Sequence, residues 1–395
     1  MISLAGIPFD ESRRRLWDVV VIGAGPAGAV TACQAARAGA AVLLVDKSFF
    51  PRQKVCGCCL NSQAVELLEG LGLGTALRRC PVEIVRELKL AARGRSFSMP
   101  LPPERILSRE RLDTSLVEEA VEAGVSFLPA TAGLVGGLEK DLRLVRLERL
   151  RDSCEARARV VVAADGLGGC ALRLAPEFSS MLHPASRIGI GTVLHSSCGF
   201  YRPGVIYMAC GPDGYAGLVR LEDGRLDVAA AVDAASLKKA PSCAALIGQL
   251  LQTAGFPIPD ELPQAAWRGT SALTRRQSRL GSERLFVVGD AASFVEPFTG
   301  QGIGWAFLSG AAVAPLVIEA SRRWEPSLVP EWEKRYRRVV GRRQIWCRLI
   351  SALLRRDPLI GLTARVLARL PWLCRPIIRS VSRPVSGISE RGLAR

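Results

Sequence analysis

Histidine is nearly absent from this 395-residue chain, which contains only His183 and His195. Zinc sites commonly use histidine beside cysteine pairs at short, regular spacing, and a Ser-His-Asp hydrolase depends on one histidine as its base. Neither histidine lies near such a pair, and Cys56-x-Cys58-Cys59 is the only cysteine cluster. The sequence therefore predicts no metal site and argues against a hydrolase of that type.

The chain also lacks an uncharged apolar run of about 18 residues, so no membrane-spanning helix is expected. The apolar stretch from Met1 to Phe9 is followed, rather than preceded, by charged residues, unlike a secretory signal. Twelve scattered cysteines without a regular framework indicate reduced thiols. With 49% hydrophobic and 23% charged residues, the composition is that of a globular protein large enough for two domains. We expect a cytoplasmic protein.

Acidic residues are scarce at the C-terminal end of the chain. Residues 331–395 contain 16 Lys or Arg and 4 Asp or Glu, so about +12 of the net charge of +16 lies there. Apolar residues recur in this segment at helical spacing with arginines beside them; they are Ile345, Trp346, Leu349, Ile350, Leu353 and Leu354. Residues 359–370 repeat the pattern. The segment is interpreted either as an element on a membrane surface or as a helical pair packed on the fold. No nucleic-acid-binding motif accompanies the charge, so no specific nucleic acid is expected.

A glycine-rich turn between two apolar runs is the most informative feature present. Val19 to Ile22 leads into Gly23-x-Gly25-x-x-Gly28, a small-residue helix pattern follows, and a second apolar run ends at Asp46. This order is that of a βαβ dinucleotide-binding unit. The glycines permit a tight turn and close approach of a pyrophosphate, and the helix N-terminus attracts phosphate. The aspartate is placed to accept hydrogen bonds from a ribose.

A second motif decides which dinucleotide such a unit would bind. Residues 285–303 read LFVVGDAASFVEPFTGQGI, which is an apolar run, a Gly-Asp pair and a glycine-rich helix start. This stretch resembles the second flavin-binding signature of FAD-dependent monooxygenases and reductases, above all that of the geranylgeranyl-reductase-like branch. The resemblance implies FAD as cofactor. It assigns the ribityl chain to Asp290 and the flavin to residues 299–303, whose backbone N–H groups favour negative charge.

Three more segments resemble the same branch. FPRQKVCG at residues 50–57 resembles its Pro-Arg-x-Lys-x-Cys-Gly loop beside the flavin ring, Arg109 matches an arginine at a helix start, and Asp165–Gly166 matches its Asp-Gly motif near the pyrophosphate. The family's serine after that motif is here Gly169. The cofactor-binding residues that the resemblance implies are Gly23, Gly25, Pro26, Ala27, Gly28, Asp46, Lys47, Arg52, Arg109, Asp165, Gly166, Gly289, Asp290, Pro297, Gly300, Gly302 and Ile303. The candidate catalytic positions are Lys54, Cys56, Pro297, Gly300 and Gln301.

We therefore predict an α/β fold: a Rossmann-like FAD-binding domain, an inserted β-sheet substrate domain and a basic helical C-terminal tail. The discontinuous FAD-binding domain is expected over residues 1–80, 105–180 and 280–330, and the substrate domain over 81–104 and 181–279. The tail comprises residues 331–395. Alternating apolar residues from Ile188 to Val232, with turns at 211–214 and 222–224, favour strands in the inserted part.

Two reactions are open to a flavin oxidoreductase of this kind, because the fold does not select the substrate. One is hydride transfer to a C=C bond of a lipophilic molecule, such as a prenyl lipid or a polyketide. The alternative is a monooxygenase that hydroxylates or epoxidises an aromatic or alkene substrate. The aromatic segment of the reductase branch is matched only at Tyr215, the expected substrate-binding residue. The Trp-x-Trp-x-Ile-Pro segment of halogenase relatives is missing, which argues against halogenation.

The partners follow from the same resemblance. No second complete GxGxxG unit is present, so NADPH is expected as a transient reductant, with another reductase or a ferredoxin as the alternative electron donor. The cysteines at 56, 58 and 59 are interpreted as packing or loop thiols, or as a thiol pair that exchanges electrons with the flavin. A non-enzyme alternative is a membrane-associated flavin-binding partner or sensor. The localisation predicted is cytoplasmic, with the basic tail as a peripheral membrane contact.

Overall fold

The computed structural model describes residues 6–195, 198–296, 298–353 and 355. The strands in chain order are β1 Leu16–Ile22, β2 Val42–Val45, β3 Cys59–Leu60, β4 Glu83–Ala92, β5 Arg95–Ile106, β6 Ser126–Leu128, β7 Ala132–Glu139, β8 Leu142–Arg149, β9 Asp152–Ala163, β10 Ser180–Leu182, β11 Ile188–Leu194, β12 Val205–Gly211, β13 Gly214–Arg220, β14 Leu226–Val232, β15 Arg268–Ala272, β16 Arg275–Gln277, β17 Gly281–Ser282, β18 Leu285–Val287 and β19 Ser293–Phe294. The helices are α1 Glu11–Arg14, α2 Pro26–Arg37, α3 Ser62–Gly70, α4 Gly74–Arg78, α5 Arg109–Glu122, α6 Ala234–Lys239, α7 Cys243–Ala254, α8 Gly302–Arg322, α9 Leu328–Tyr336 and α10 Arg342–Leu353. A π-helical turn, Arg337–Gly341, joins α9 to α10.

The first sheet has the strand order β17-β18-β9-β1-β2-β6, and all of these strands except β17 run parallel. Val19, Val20 and Val21 in its centre are fully buried, as expected where a parallel sheet is covered on both faces. The second half of β9 pairs with β1, and its first half pairs with β8 of the β7–β8 hairpin. The predicted α/β, Rossmann-like class is confirmed.

Four parallel strands of this sheet end at one edge. β1 is followed by Gly23, β2 by Asp46, β9 by Ala164 and Asp165, and β18 by Val288 and Gly289. Carboxyl ends of parallel strands meet at the same edge, where ligands of open α/β sheets bind. Motifs that lie far apart in the sequence therefore converge.

The second sheet has the order β15-β11-β14-β13-β12-β4-β5-β3. Its strands alternate in the direction of their side chains: Tyr207 and Ala209 pack in one cluster with α7, whereas Met208 and Cys210 belong to a cluster on the other face. The segments predicted for the substrate domain supply most of its strands, but β3, from within residues 1–80, also pairs with β5. The domain boundaries themselves stay a prediction.

The expectation that no segment is long and apolar enough to cross a membrane is wrong for α8. By its length and its composition alone, with a mean hydropathy of 1.6, this helix could cross a membrane. However, 78% of the most apolar part of α8 is buried inside the fold. Gly310 lets α8 lie against α2, where the Thr31 hydroxyl donates hydrogen bonds to the Ala27 and Gly310 carbonyls at 2.8 and 3.2 Å. In this structure, α8 is a core helix beside the first sheet.

The described beginning of the basic tail packs on the fold. Trp332 in α9 is fully buried, and its indole N–H donates a hydrogen bond to the Val287 carbonyl at 3.1 Å. Arg355 pairs with the buried Glu296 carboxylate at 2.8 Å. Residues 356–395, which include the second predicted apolar stretch at 359–370, lie outside the described residues.

Helix α10 buries polar residues and exposes apolar ones. Gln344, Cys347 and Ser351 are turned into the protein, each at most 6% exposed. Ile345 and Leu349 are 50% and 56% exposed. A helix packed only against its own core normally shows the opposite arrangement, and the described residues leave this face uncovered.

Candidate active site

A cavity of about 720 Å³ lies at the carboxyl edge of the first sheet and extends along one face of the second sheet. Its lining has two parts. The first is polar and glycine-rich and comes from the motifs found in the sequence. The second is apolar and comes from β4, β5, β12, β13 and β14.

The first glycine-rich turn is shaped for close approach of a ligand. Gly23 has φ +107°, and a side chain there would meet the Ala164 carbonyl. A Cβ at Gly28 would clash with the Gly23 carbonyl, so only glycine lets α2 begin so close to β1. Pro26 occupies the first position of α2. The turn is thus held by backbone contacts, and Gly25 faces the cavity.

Asp46 organises this turn from behind. Its carboxylate accepts hydrogen bonds from the Ala24 and Ser48 N–H groups, both at 2.9 Å, and lies 3.4 Å from the Arg52 guanidinium. Asp46 is only 8% exposed and does not line the cavity, whereas the adjacent Lys47 does. The ribose contact predicted for Asp46 stays a prediction.

A buried ion cluster lies beside the turn. Arg109 donates two hydrogen bonds to Asp113, at 3.0 and 2.9 Å, and Arg52 lies 3.2 Å from the same carboxylate. Burial alone would raise the pKa of the fully buried Asp113, but Arg109 and Arg52 outweigh it and lower that pKa. The cluster fixes the Arg109 guanidinium in the cavity wall.

Two lysines converge on the turn after β9. A Cβ at Gly166 would lie 3.7 Å from the Lys54 ammonium, and one at Gly168 would lie 3.4 Å from the Lys47 ammonium. Asp165 accepts a hydrogen bond from the Ala171 N–H at 2.9 Å. Burial, followed by the charges of Arg52 and Arg109, lowers the pKa of Lys54 to about 8, so it is still a cation at neutral pH. Two ammonium groups beside glycine backbone form a site for a diphosphate.

The second flavin-type motif completes the polar part. Gly289 has φ +61°, and a Cβ there would lie 2.9 Å from the Ala27 Cβ, so glycine is required. Asp290 faces the cavity, and burial raises its pKa to about 6 despite the opposing charges of Lys54 and Arg109. Gly300, Gly302 and Ile303 at the start of α8 also line the cavity. Thr299 lines the cavity as well, and its hydroxyl lies 2.9 Å from the Cys347 sulfur.

Cys56 differs electrostatically from the two cysteines beside it. The Cys58 backbone N–H donates to the Cys56 sulfur at 3.4 Å. Hydrogen bonding from Cys58, opposed by burial and assisted by the Arg109 charge, lowers the pKa of Cys56. The hydrogen bond with Cys56, followed by burial, raises the pKa of Cys58, and burial raises the pKa of Cys59. Of the three cysteines, Cys56 therefore ionises to a thiolate most readily, and it lines the cavity.

Most of the predicted site residues come together, but not all face the cavity. Gly23, Gly28, Asp46, Arg52 and Gly289 support it from behind, since none of them is among its lining residues. Gln301 is 5% exposed and lies with Asn61, Gln63 and Arg343 on the other side of the α8 start, so the structure does not bring this candidate catalytic side chain to the cavity. Pro297 lies outside the described residues.

Tyr215 lies in the apolar part of the cavity, as its predicted role requires. Its ring meets Phe298 edge-on at 5.0 Å, and its hydroxyl is buried without a hydrogen-bond partner in the described residues. The structure also adds residues that sequence reasoning missed, namely Asp113 and Glu104. The i, i+4 spacing from Arg109 could have indicated Asp113. No local signal marks Glu104.

The polar part fits FAD. One buried polar atom of a lining residue there, Asp165 Oδ1, has no hydrogen-bond partner in the described residues. Buried polar groups are normally satisfied, so an unsatisfied carboxylate oxygen beside a glycine cradle points to a polar ligand. Lysines suit the diphosphate, Asp290 suits the ribityl hydroxyls, and the α8 N-terminus suits the flavin. No group of three or more metal-binding side chains occurs in the described residues.

Comparison with known proteins identifies the ligand. Residues 17–195 match the family described as FAD binding domain. The chain is 27% identical over 401 residues to menaquinone reductase of Mycobacterium tuberculosis, covering 96% of this chain and 94% of the relative. It is 27% identical over 318 residues to digeranylgeranylglycerophospholipid reductase 2 of Methanopyrus kandleri, covering 77% of each. The crystal structure of p-nitrophenol 4-monooxygenase from Pseudomonas putida superposes with a TM-score of 0.74 at 16% identity, covering 92% of this chain and 98% of that one.

These similarities agree with the geometry of the cavity. All three proteins are enzymes by name. The solved structure is too distant in sequence to show more than the fold. Together, the glycine cradle, the matched domain and the similarity to the two reductases show that this chain is an FAD-dependent oxidoreductase that is similar to geranylgeranyl-reductase-like enzymes.

Proposed function

We propose that this protein reduces a carbon–carbon double bond in a lipophilic molecule, such as a prenyl lipid or a quinone that bears an alkene. The observation that carries the proposal is the apolar part of the cavity, which is continuous with the FAD cradle. Its β4–β5 wall consists of the side chains of Leu88, Leu90, Phe97, Met99 and Leu101. Such a wall favours a hydrocarbon ligand by about 25 cal/mol for each Å² that leaves water. The two reductases named above are similar to this chain over most of its length, 96% and 77% respectively.

The residues on the polar side would hold FAD, which supplies the two-electron chemistry when bound. Lys47 and Lys54 would neutralise the diphosphate, and the Asp290 carboxylate would accept hydrogen bonds from the ribityl hydroxyls. Arg109, fixed by Asp113, places a permanent positive charge beside Cys56 in the cavity wall. A positive charge in this position stabilises electron density on a reduced flavin.

The apolar side would orient the substrate and exclude water. Leu90 and Met99 contribute aliphatic surface, and Tyr215 presents a hydroxyl without a partner in the described residues. A buried hydroxyl gains a hydrogen bond by meeting a polar substrate group, such as a quinone oxygen. The substrate would therefore lie with its chain on the β4–β5 wall and any polar group towards Tyr215.

Anaerobic photoreduction followed by mixing with substrate tests the function. The FAD-loaded protein is reduced by light and mixed without oxygen with a detergent-dispersed prenyl quinone or a geranylgeranyl lipid. We expect the flavin absorbance to recover as the alkene is saturated, and mass spectrometry to show a product two hydrogens heavier. Recovery only with oxygen, together with an oxygenated product, would establish the monooxygenase alternative instead.

We also propose NADPH as the transient electron donor. The sequence has no second complete GxGxxG unit beside the FAD cradle. A separate NADPH-binding domain is therefore not expected, and NADPH would bind only transiently. Anaerobic mixing of oxidised protein with NADPH should bleach the flavin. If only a separate reductase or ferredoxin bleaches it, that protein is the donor.

A cytoplasmic location with peripheral attachment to an anionic membrane is the third part of the proposal. It is supported by the exposed apolar side chains of Ile345 and Leu349, beside the exposed Arg342 and Arg348 on α10. Apolar residues flanked by arginines suit a bilayer that carries acidic headgroups. A lipophilic substrate would then enter from the bilayer.

Sedimentation with lipid vesicles tests this attachment. The full-length protein should bind vesicles that contain phosphatidylserine more strongly than neutral phosphatidylcholine vesicles. The double variant Ile345→Ser/Leu349→Ser should lose several-fold in binding, whereas Leu150→Ser, at a fully exposed site on a β-hairpin, should not. Equal binding by the double variant and the wild type would refute the assignment to α10.

A further inference from the structure

The apolar wall of the cavity contains one carboxylic acid that the FAD site does not use. Three carboxylic acids line the cavity in the described residues, and two of them, Asp165 and Asp290, belong to the nucleotide side. The third is Glu104 on β5. No side chain in the described residues donates a hydrogen bond to Glu104 or forms an ion pair with it. A carboxyl group in such a place is costly to keep ionised and unpaired.

An irregularity in β5 turns this side chain towards the cavity. Val85 and Glu87 are two residues apart on β4, but their partners Glu104 and Pro100 are four residues apart on β5. The extra length falls at 101–103, where two prolines provide no N–H group for the ladder. In a regular strand, residues three apart point to opposite faces, yet Leu101 and Glu104 both line the cavity. The strand is therefore irregular between Leu101 and Glu104, and such irregularities are common near active sites.

Glu104 also lies near the part of the wall that faces the flavin. β5 pairs with β3, where Cys59 is opposite Ile106. The charge of Glu104 contributes to the raised pKa of the Cys59 thiol, after burial as the main cause. The Cβ of Cys59 would lie 3.4 Å from a Cβ at Gly300, the residue that leads into α8. Cys59 thus lies between the end of β5 that carries Glu104 and the flavin-facing turn.

We infer that Glu104 is the catalytic residue that donates a proton to the substrate during double-bond reduction. The inference rests on the proposed function. One alkene carbon forms a C–H bond with the hydride from reduced flavin, which is thereby oxidised by two electrons. The π electron pair forms the second C–H bond, at the other carbon, with the carboxyl proton of Glu104. The resulting carboxylate regains its proton from water after the product leaves.

The electrostatic surroundings support this role. Burial raises the pKa of Glu104 to about 7, so the protonated form is available at neutral pH. On the adjoining strands, Cys59 is the titratable neighbour on β3, and Val85 opposite on β4 is apolar. The charge of Asp227 on β14 also raises the pKa of Cys59. Lys54 and Arg109 line the nucleotide side of the cavity. Burial, rather than a neighbouring charge, raises the pKa of Glu104.

Glu104→Gln tests the inference, with Glu87→Gln on the neighbouring strand as the matched control outside the cavity lining. In anaerobic mixing with a prenyl quinone, wild-type flavin reoxidation should slow as the pH rises through about 7. Glu104→Gln should be at least 100-fold slower and lose this pH dependence, whereas Glu87→Gln should behave as the wild type. Infrared titration of the substrate-free protein gives an independent readout. A protonated carboxyl band that disappears near pH 7 should be missing from Glu104→Gln alone.

The outcomes separate the two claims. Wild-type protein that reduces the alkene while Glu104→Gln does so equally fast, with the same pH profile, would overturn the role of Glu104 and leave the function standing. An infrared band unaffected by Glu104→Gln would also overturn it. Wild-type protein that reduces no alkene would refute the proposed function, and the proton-donor role with it. FAD affinity of Glu104→Gln within about twofold of the wild type would show that any loss of rate is not a loss of cofactor.

Discussion

The two sides of the cavity are held in place by different forces. On the nucleotide side, Asp46 and Asp113 fix Arg52 and Arg109 by hydrogen bonds and ion pairs before any ligand is present. On the substrate side, apolar side chains of the second sheet form the wall, and Glu104 and Tyr215 are the polar groups there that lack a partner in the described residues. The polar side can therefore recognise one cofactor by geometry, whereas the apolar side can accept a range of lipophilic ligands.

The difference has an energetic consequence. Hydrogen-bonded groups in a buried cluster depend on each other, so the loss of one leaves the others unsatisfied. Apolar contacts are smaller individually and can relax around a substitution. Substitutions on the polar side should therefore reduce stability or FAD affinity strongly, and those on the apolar side should change substrate affinity moderately.

The largest effect is expected for Asp113→Asn. The change removes the negative charge that balances Arg52 and Arg109, and breaking a buried pair costs about 3–5 kcal/mol. The free energy of unfolding, measured with urea, should fall by about 3 kcal/mol or more. Glu118→Gln on the same helix, which forms no ion pair with any of the described residues, should change the free energy of unfolding by less than about 0.5 kcal/mol. A loss no greater than in this control would show that the cluster is not required.

Gly28→Ala should have the next largest effect. The new Cβ would overlap the Gly23 carbonyl, so the start of α2 must move, and overpacking of this kind costs about 1–3 kcal/mol. Because the same turn approaches the diphosphate, the Kd for FAD should rise by roughly 100-fold, that is about 2.7 kcal/mol. Fluorescence titration of the apoprotein with FAD measures this Kd. Gly70→Ala, where a Cβ meets nothing within 4 Å, is the control; equal affinities would contradict the prediction.

FAD binding should depend on pH through Asp290. Its pKa of about 6 in the apoprotein means that binding to the carboxylate form expels a proton below pH 6. Affinity should therefore rise with pH by up to about tenfold per unit below pH 6 and level off above it. Asp290→Asn should bind more weakly at pH 7 and show no such slope. An unchanged slope in this variant would assign the titration to another group.

The smallest effect is expected on the apolar side. Met99→Gln places an amide in the hydrocarbon wall, which should raise the KM for a prenyl substrate about 5- to 10-fold because apolar contact is lost. The Kd for FAD should stay within twofold, since Met99 belongs to the β4–β5 wall. Steady-state kinetics together with FAD titration separate the two. A large change in FAD affinity would contradict the prediction that the apolar side acts on substrate binding and not on FAD binding.

Local sequence patterns predicted the nucleotide side well because its parts are set by short-range backbone requirements. Gly23 needs a positive φ, Gly28 needs the absence of a Cβ, and both can be recognised beside the strands that they follow. The convergence of Asp165 and Gly289 follows from parallel strands ending at one edge. The fold class was predictable for the same reason.

The sequence was less informative where the direction of a side chain depends on its packing. Gln301 adjoins the flavin-facing glycines in sequence, but the start of α8 turns it towards Asn61 and Gln63. On α10, helical periodicity predicted an apolar face, but only the packed structure revealed that Gln344 and Cys347 point inward. Periodicity identifies faces, and tertiary contacts decide which face is covered.

The sequence by itself determined that a βαβ nucleotide cradle exists, because glycine, strand and helix preferences act within a few residues. Only the tertiary structure decided that Glu104 enters the apolar cavity. Glu104 follows an irregular segment of β5 whose register is set by pairing with β4 and β3. Strand pairing joins segments that are distant or irregular in sequence, and a shift of register changes the face on which a side chain lies.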